Sequence, residues 1–90
     1  MRFRYVVSGR VHGVGFRWFV RERCRALHIT GYVRNLETGH VEVIANGSPD
    51  TLTELEVILG KGPAGAIVTK VDKLEILDEV TKETSFHIVG

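Results

Sequence analysis

Nine residues, Gly9 to Arg17 with the sequence GRVHGVGFR, join a strand pattern to a helix pattern and restrict the fold more than any other stretch of the chain. Upstream, Phe3, Tyr5 and Val7 alternate with Arg2, Arg4 and Ser8, the period-two signature of a half-buried strand. Downstream, Phe16, Phe19, Val20, Cys24 and Leu27 recur at helical spacing, so a helix starts near Gly15 or Phe16. That start is informative for what it lacks. No Ser, Thr, Asp or Asn lies between Gly13 and Phe16 to accept from the free N–H groups, and Arg17 stands in the first turn where an acid would suit the helix dipole. A cation there costs a few tenths to about 1 kcal/mol. A bound anion would satisfy both the orphan donors and the charge. Taken alone, the stretch fits a second reading equally well, a glycine-rich turn whose N–H groups meet water. It is neither of two common nucleotide loops: Trp18 stands where a dinucleotide fingerprint needs its third glycine, and no Lys followed by Ser or Thr comes after it.

Charge is unevenly spread around a net value of +1. Residues 1–40 hold eight arginines against Glu22 and Glu37, whereas residues 41–90 hold four lysines against nine acids. The asymmetry favours an anionic partner near the first half of the chain. Arg21, Arg23 and Arg25 are expected on the solvent face of the first helix. The single cysteine, Cys24, falls on that helix's apolar face, where core packing is its expected role. Single-cysteine usage suits a reducing compartment. No apolar run approaches the roughly 20 residues of a membrane span, and the chain opens on a strand pattern instead of a leader, so a cytoplasmic protein without a membrane partner is expected.

Ninety residues with 43% hydrophobic content suffice for one core, and a single domain over 1–90 is expected. After the first helix, Ile29 to Asn35 reads as a second strand, Leu36 to Gly39 as a hairpin loop, and His40 to Asn46 as a third strand with Val41, Val43 and Ala45 on one face. The second helix begins conventionally: Ser48 can cap, Pro49 suits the first helical position, and Asp50 complements the dipole. Leu52, Leu55 and Leu59 form its buried stripe, widened by Val57 and Ile58. Gly60 to Gly65 reads as an exposed loop, Ala66 to about Leu77 as a strand of open register, Asp78 to Thr84 as a polar connection, and Phe86 with Ile88 as a short closing strand. The order βαββαββ, with right-handed crossovers and one short hairpin, predicts a ferredoxin-like split βαβ sandwich with both helices on one face of a mostly antiparallel sheet. In that arrangement Asn35 stands near the loop from Gly9 to Arg17. The fold alone assigns no activity.

The stretch GYVRNLETGHVEVIANG, Gly31 to Gly47, together with GRVHGVGFR, closely resembles the two signature stretches of acylphosphatases, with matching spacing between them. The likeness runs through the whole chain, including the glycine and proline loop before the fourth strand and the closing FHIV of Phe86 to Val89. The resemblance implies a small free-standing enzyme that hydrolyses the carboxyl–phosphate bond of small acyl phosphates, giving a carboxylate and inorganic phosphate without cofactor or metal. It implies that Arg17 binds the phosphoryl group. It assigns the phosphate-binding loop to His12, Gly13, Val14, Gly15, Phe16 and Arg17, whose backbone N–H groups donate to the phosphate oxygens. It assigns Asn35 to the attacking water. Two positions depart from the pattern: His12 stands where many members have Gln, and Gly15 where the residue is often bulky.

The chemistry suits such a residue set. The carboxylate leaving group is weakly basic and needs little protonation, so the tasks left are holding the phosphoryl group, spreading its charge over fixed donors and placing water in line. Arg17 and the loop N–H groups suit the first two tasks and the Asn35 amide the third. Asn is no base, so the water's proton goes to a phosphate oxygen or to His12. His28, His40 and His87 show no metal-ligand spacing. A competing reading is an RNA- or phosphate-binding module on the same fold. The third strand offers Val41, Val43 and Ile44 where RNA-binding domains stack bases on aromatics, so no nucleic-acid partner is expected. The expected partners are a small acyl phosphate and its product phosphate, met by a monomer.

Overall fold

A computed structural model describes residues 1–77 and 83–90. The elements run β1 (Arg2–Arg10), α1 (Phe16–Ala26), β2 (Thr30–Asn35), β3 (Val41–Asn46), α2 (Pro49–Lys61), β4 (Ile67–Glu75) and β5 (Phe86–Ile88). Their sheet order is β4-β1-β3-β2-β5. β3 lies between β1 and β2 and pairs antiparallel with each; β4 pairs antiparallel with β1, and β5 parallel with β2. This is the ferredoxin-like α+β fold expected from the element order. β1 and β2 thus run the same way, and their C-terminal ends meet at one end of the sheet.

The alternation of β1 decides which face is which. Phe3, Tyr5 and Val7 are buried together with Val33, Val41, Val43 and Ala45, and they meet Phe16, Val20 and Cys24 of α1 and Leu52, Leu55 and Leu59 of α2. Fully burying each such side chain is worth about 1.5–3 kcal/mol. Burial also pushes the Cys24 thiol up to about 12, which leaves it a packing residue. The Tyr5 hydroxyl reaches the edge of this core and donates to Glu56 at 2.8 Å, where Lys73 pairs with the same carboxylate at 2.7 Å. One phenol therefore ties β1, α2 and β4 together.

Several boundaries differ from the sequence reading. Ile29 precedes β2 instead of starting it. α2 continues through Gly60 and Lys61, because nothing in a helix interior forbids glycine; it ends at Gly62, whose φ of 67° breaks the repeat while its N–H still reaches Ile58 at 2.9 Å. Val57 faces solvent instead of widening the stripe, whereas Ile58 is half-buried. The polar connection falls largely on residues 78–82, outside the described residues. Glu83, at its far end, accepts from Arg2 at 3.0 Å.

The uneven charge also resolves differently from the expectation. Much of the arginine excess is consumed inside the fold. On the face away from the helices, Glu42 is 3% exposed and receives Arg4 Nε–H and Arg34 Nε–H, each at 2.6 Å. Arg34 is its direct cross-strand neighbour and Arg4 its diagonal one. Burial would raise the Glu42 carboxyl, but the two guanidiniums outweigh it and hold the group below the ordinary carboxylate range. On α1, Arg23 and Arg25 are exposed as expected, yet each arginine of the row has a partner: Arg25 donates to the Phe86 carbonyl at 3.0 Å, Arg23 stacks on the Phe19 ring and Arg21 pairs with Glu22 at 3.1 Å.

α1 closes with the paired bonds of a Schellman motif, Ile29 N–H to Cys24 O at 2.8 Å and His28 N–H to Arg25 O at 3.2 Å. The motif requires a left-handed residue, and His28 fills it with φ 57°. A side chain there costs roughly 1–2 kcal/mol, part of which glycine would return as unfolded-state entropy. His28→Gly is therefore expected to stabilise the protein by about 0.5–1 kcal/mol, raising Tm by about 4 °C. Thermal unfolding checks this, and an unchanged or lower Tm would show that the imidazole makes a compensating contact.

Candidate active site

The loop before α1 takes its shape from a break in the pairing of β1 with β4. The register shifts between Ser8 and Gly9, and Gly9 has φ 121° with its Cα pressed on the Ile67 carbonyl, where a Cβ would collide. Val11 then drops into the core, and the chain turns through Gly13 and Gly15. Gly15 is the N-cap of α1, in the left-handed region at φ 74°, ψ 24°, and no side chain caps the helix. Open space surrounds the position a Cβ would take at Gly15, so the demand for glycine is conformational.

Those torsions leave the first N–H groups of α1 pointing out of the helix end. The first intrahelical acceptor is Gly15 O, reached by Phe19 N–H at 3.0 Å, so the N–H groups of Phe16, Arg17 and Trp18 lie ahead of the ladder. No acid stands in the first turn. Arg17 makes no ion pair among the described residues, while Arg2, Arg4, Arg21 and Arg34 each have a carboxylate. The second helix shows the ordinary alternative: Ser48 accepts from Thr51 N–H at 3.3 Å, with Pro49 and Asp50 in the first turn. Local sequence thus caps one helix internally and leaves the other open.

A cleft of about 170 Å³ lies at this open end. Gly13, Gly15, Phe16 and Arg17 from the loop and helix meet Asn35 from the end of β2 across it. Asn35 is the last residue of β2, paired with Val41. Its side chain is exposed on the cleft, as the parallel run of β1 and β2 requires. Two loop positions do not line the cleft. Val14 packs against the core. His12 turns to the hairpin, with Nε2 3.1 Å from the His40 carbonyl, while His40 Nδ1 lies 2.9 Å from Thr38 Oγ1. A carbonyl can only accept, so Nε2 carries the proton and His12 acts there as a donor that braces the loop.

The sequence reading did not assign Val11 and Ile88 to the site. Val11 is the buried floor, and Ile88 arrives because β5 sets it beside Val33 in parallel register. The only signal for Ile88 was the alternation of Phe86 and Ile88 around His87. Among the described residues no group of three or more His, Cys, Asp or Glu side chains could hold a metal ion, and no helix is long and apolar enough to cross a membrane.

An open helix N-terminus, an arginine without an acid among the described residues and a facing amide, all set at one end of a ferredoxin-like sheet, give a small α+β domain a cleft that can receive an anion. The acylphosphatase family model matches residues 3–88. The acylphosphatase of Koribacter versatilis is 46% identical over 89 residues, covering 97% of this chain and 78% of its own. That of Deinococcus radiodurans is 46% identical over 88 residues, covering 98% and 99%. The crystal structure of acylphosphatase from Bacillus subtilis matches with a TM-score of 0.93 and 31% identity, over 99% of this chain and 98% of that one. The chain belongs to the acylphosphatase family and is a hydrolase of that type.

Proposed function

We propose that this enzyme works by positioning alone, with Arg17 and the N–H groups from Gly13 to Trp18 holding the phosphoryl group and Asn35 placing water behind phosphorus. The observation that carries the reading is the convergence of Arg17, the uncapped start of α1 and Asn35 on one cleft. Water attacks phosphorus, the bond from phosphorus to the carboxyl oxygen breaks, and the carboxylate leaves with that electron pair. The water's proton passes to a phosphoryl oxygen. His12 is not the base, since its ring turns to the His40 carbonyl and does not line the cleft. The fixed donors are worth most where charge accumulates on the equatorial oxygens, and they require no rearrangement at that moment.

The same features support a finer reading of its setting. One chain builds the whole cleft, which supports action as a monomer. Arg2, Arg4 and Arg34, on the open sheet face, are each bonded to a carboxylate, which supports a small-molecule substrate over RNA. A buried free thiol suits a reducing, cytoplasmic setting.

The test is phosphate release from a synthetic aryl acyl phosphate in EDTA, paired with thermal unfolding in inorganic phosphate. Turnover is expected to persist in the chelator. Phosphate is expected to inhibit competitively and, at about ten times its dissociation constant, to stabilise the protein by about 1.4 kcal/mol, several degrees in Tm. A folded protein that neither turns over the substrate nor gains stability from phosphate would overturn the reading.

A further inference from the structure

The cleft has two chemically different sides, and the hydrolytic reading uses one. Gly13, Gly15, Arg17 and Asn35 serve the phosphoryl group; the side chains of Trp18 and Ile88 line the same cleft and have no part in that chemistry. They come from different elements, the first turn of α1 and the end of β5. Trp18 is 58% exposed, a large apolar ring left in water at the mouth of a binding site. It follows Arg17 directly, and successive helix residues diverge by about 100°, so the indole lies beside the guanidinium's target instead of on it.

The cleft's 170 Å³ is little more than the roughly 150 Å³ that encloses a single benzene ring. A phosphoryl group seated against Arg17 takes up part of that volume, so a bulky acyl group extends toward the exposed Trp18 ring. There the indole and Ile88 offer apolar surface.

We propose that the Trp18 side chain, with Ile88 on the same cleft, is the shelf for the acyl group and makes the enzyme prefer aryl and bulky apolar acyl phosphates over acetyl phosphate. The inference rests on the phosphoryl-site reading above. An aryl ring stacked on the indole removes apolar surface of both from water, a gain that the methyl of an acetyl group cannot match. Trp18 is the specificity residue, and Ile88 adds apolar surface on the same cleft.

The experiment measures kcat/KM for benzoyl phosphate and acetyl phosphate in the unaltered chain, Trp18→Ala, Trp18→Phe and Ile88→Ala. The benzoyl-to-acetyl ratio is expected to fall about tenfold in Trp18→Ala, to recover most of that in Trp18→Phe, and to fall less in Ile88→Ala. Because Trp18 is the sole tryptophan, fluorescence gives a second readout: benzylphosphonate should change the emission and inorganic phosphate should leave it nearly constant. Turnover of both substrates with an unchanged ratio in Trp18→Ala overturns this inference alone. Failure of the folded, unaltered chain to turn over either substrate overturns the phosphoryl-site reading and takes this inference with it.

Discussion

Arg17→Ala is expected to lower kcat/KM for an aryl acyl phosphate by about 10³-fold or more, the range seen when a charged donor to a transferring phosphoryl group is removed. The physical reason is that the guanidinium is the one side-chain cation on the cleft among the described residues. The N–H groups remain in the variant but act without a full charge. Binding and turnover should both suffer, because the charge meets the phosphoryl oxygens in the ground state and more strongly in the transition state. The stabilisation by inorganic phosphate should vanish in the same variant. Folding should be nearly unaffected or slightly improved, since a cation is removed from the positive end of a helix and no ion pair among the described residues is broken. Stopped or fixed-time phosphate release together with Tm in phosphate checks both halves. A variant with intact phosphate stabilisation would place the anion elsewhere.

Why so much of this was legible in the sequence can be argued from a few residues. The alternation of Phe3, Tyr5 and Val7 and the stripe of Phe16, Val20 and Cys24 are period signals, and the buried sides match them. The missing cap before Phe16 was visible because caps are local chemistry, and the structure reproduces it with Gly15 in the left-handed region. The nearness of Asn35 to the loop followed from topology, since β1 and β2 must run parallel on either side of β3. What escaped was non-local. The register of β4 depends on the break at Ser8 and Gly9 and on pairing with β1, neither of which β4's own mixture of apolar and charged residues specifies. The Glu42 carboxylate sits in a row of apolar strand residues, and only its neighbours across the sheet, Arg4 and Arg34, explain its burial. Counting charges by halves of the chain therefore overstated the field available to a ligand. The direction of His12 toward His40 likewise depended on where the hairpin end would lie.

Asn35→Ala tests the other half of the site and should separate from Arg17→Ala by its pattern. Asn35 carries no charge and faces the cleft from β2, across from the loop, where its amide oxygen and two donors can bridge a water and a phosphoryl oxygen. Without it the phosphoryl group still meets Arg17 and the N–H groups, so substrate affinity and phosphate stabilisation should persist. The water loses its fixed position behind phosphorus, and a misplacement on the order of 1 Å costs about 10²-fold, so kcat should fall by about 10²- to 10³-fold with KM little changed. Asn35 is exposed at a strand end, which keeps the expected stability change within about 0.5 kcal/mol. Steady-state kinetics and the phosphate-induced Tm shift, measured side by side on both variants, decide the matter. The expected result is a shift retained in Asn35→Ala and lost in Arg17→Ala, with turnover low in both. Loss of the shift in both variants would mean that Asn35 holds the phosphoryl group as Arg17 does, and the water would then have to be ordered by the phosphate oxygens and the loop donors alone.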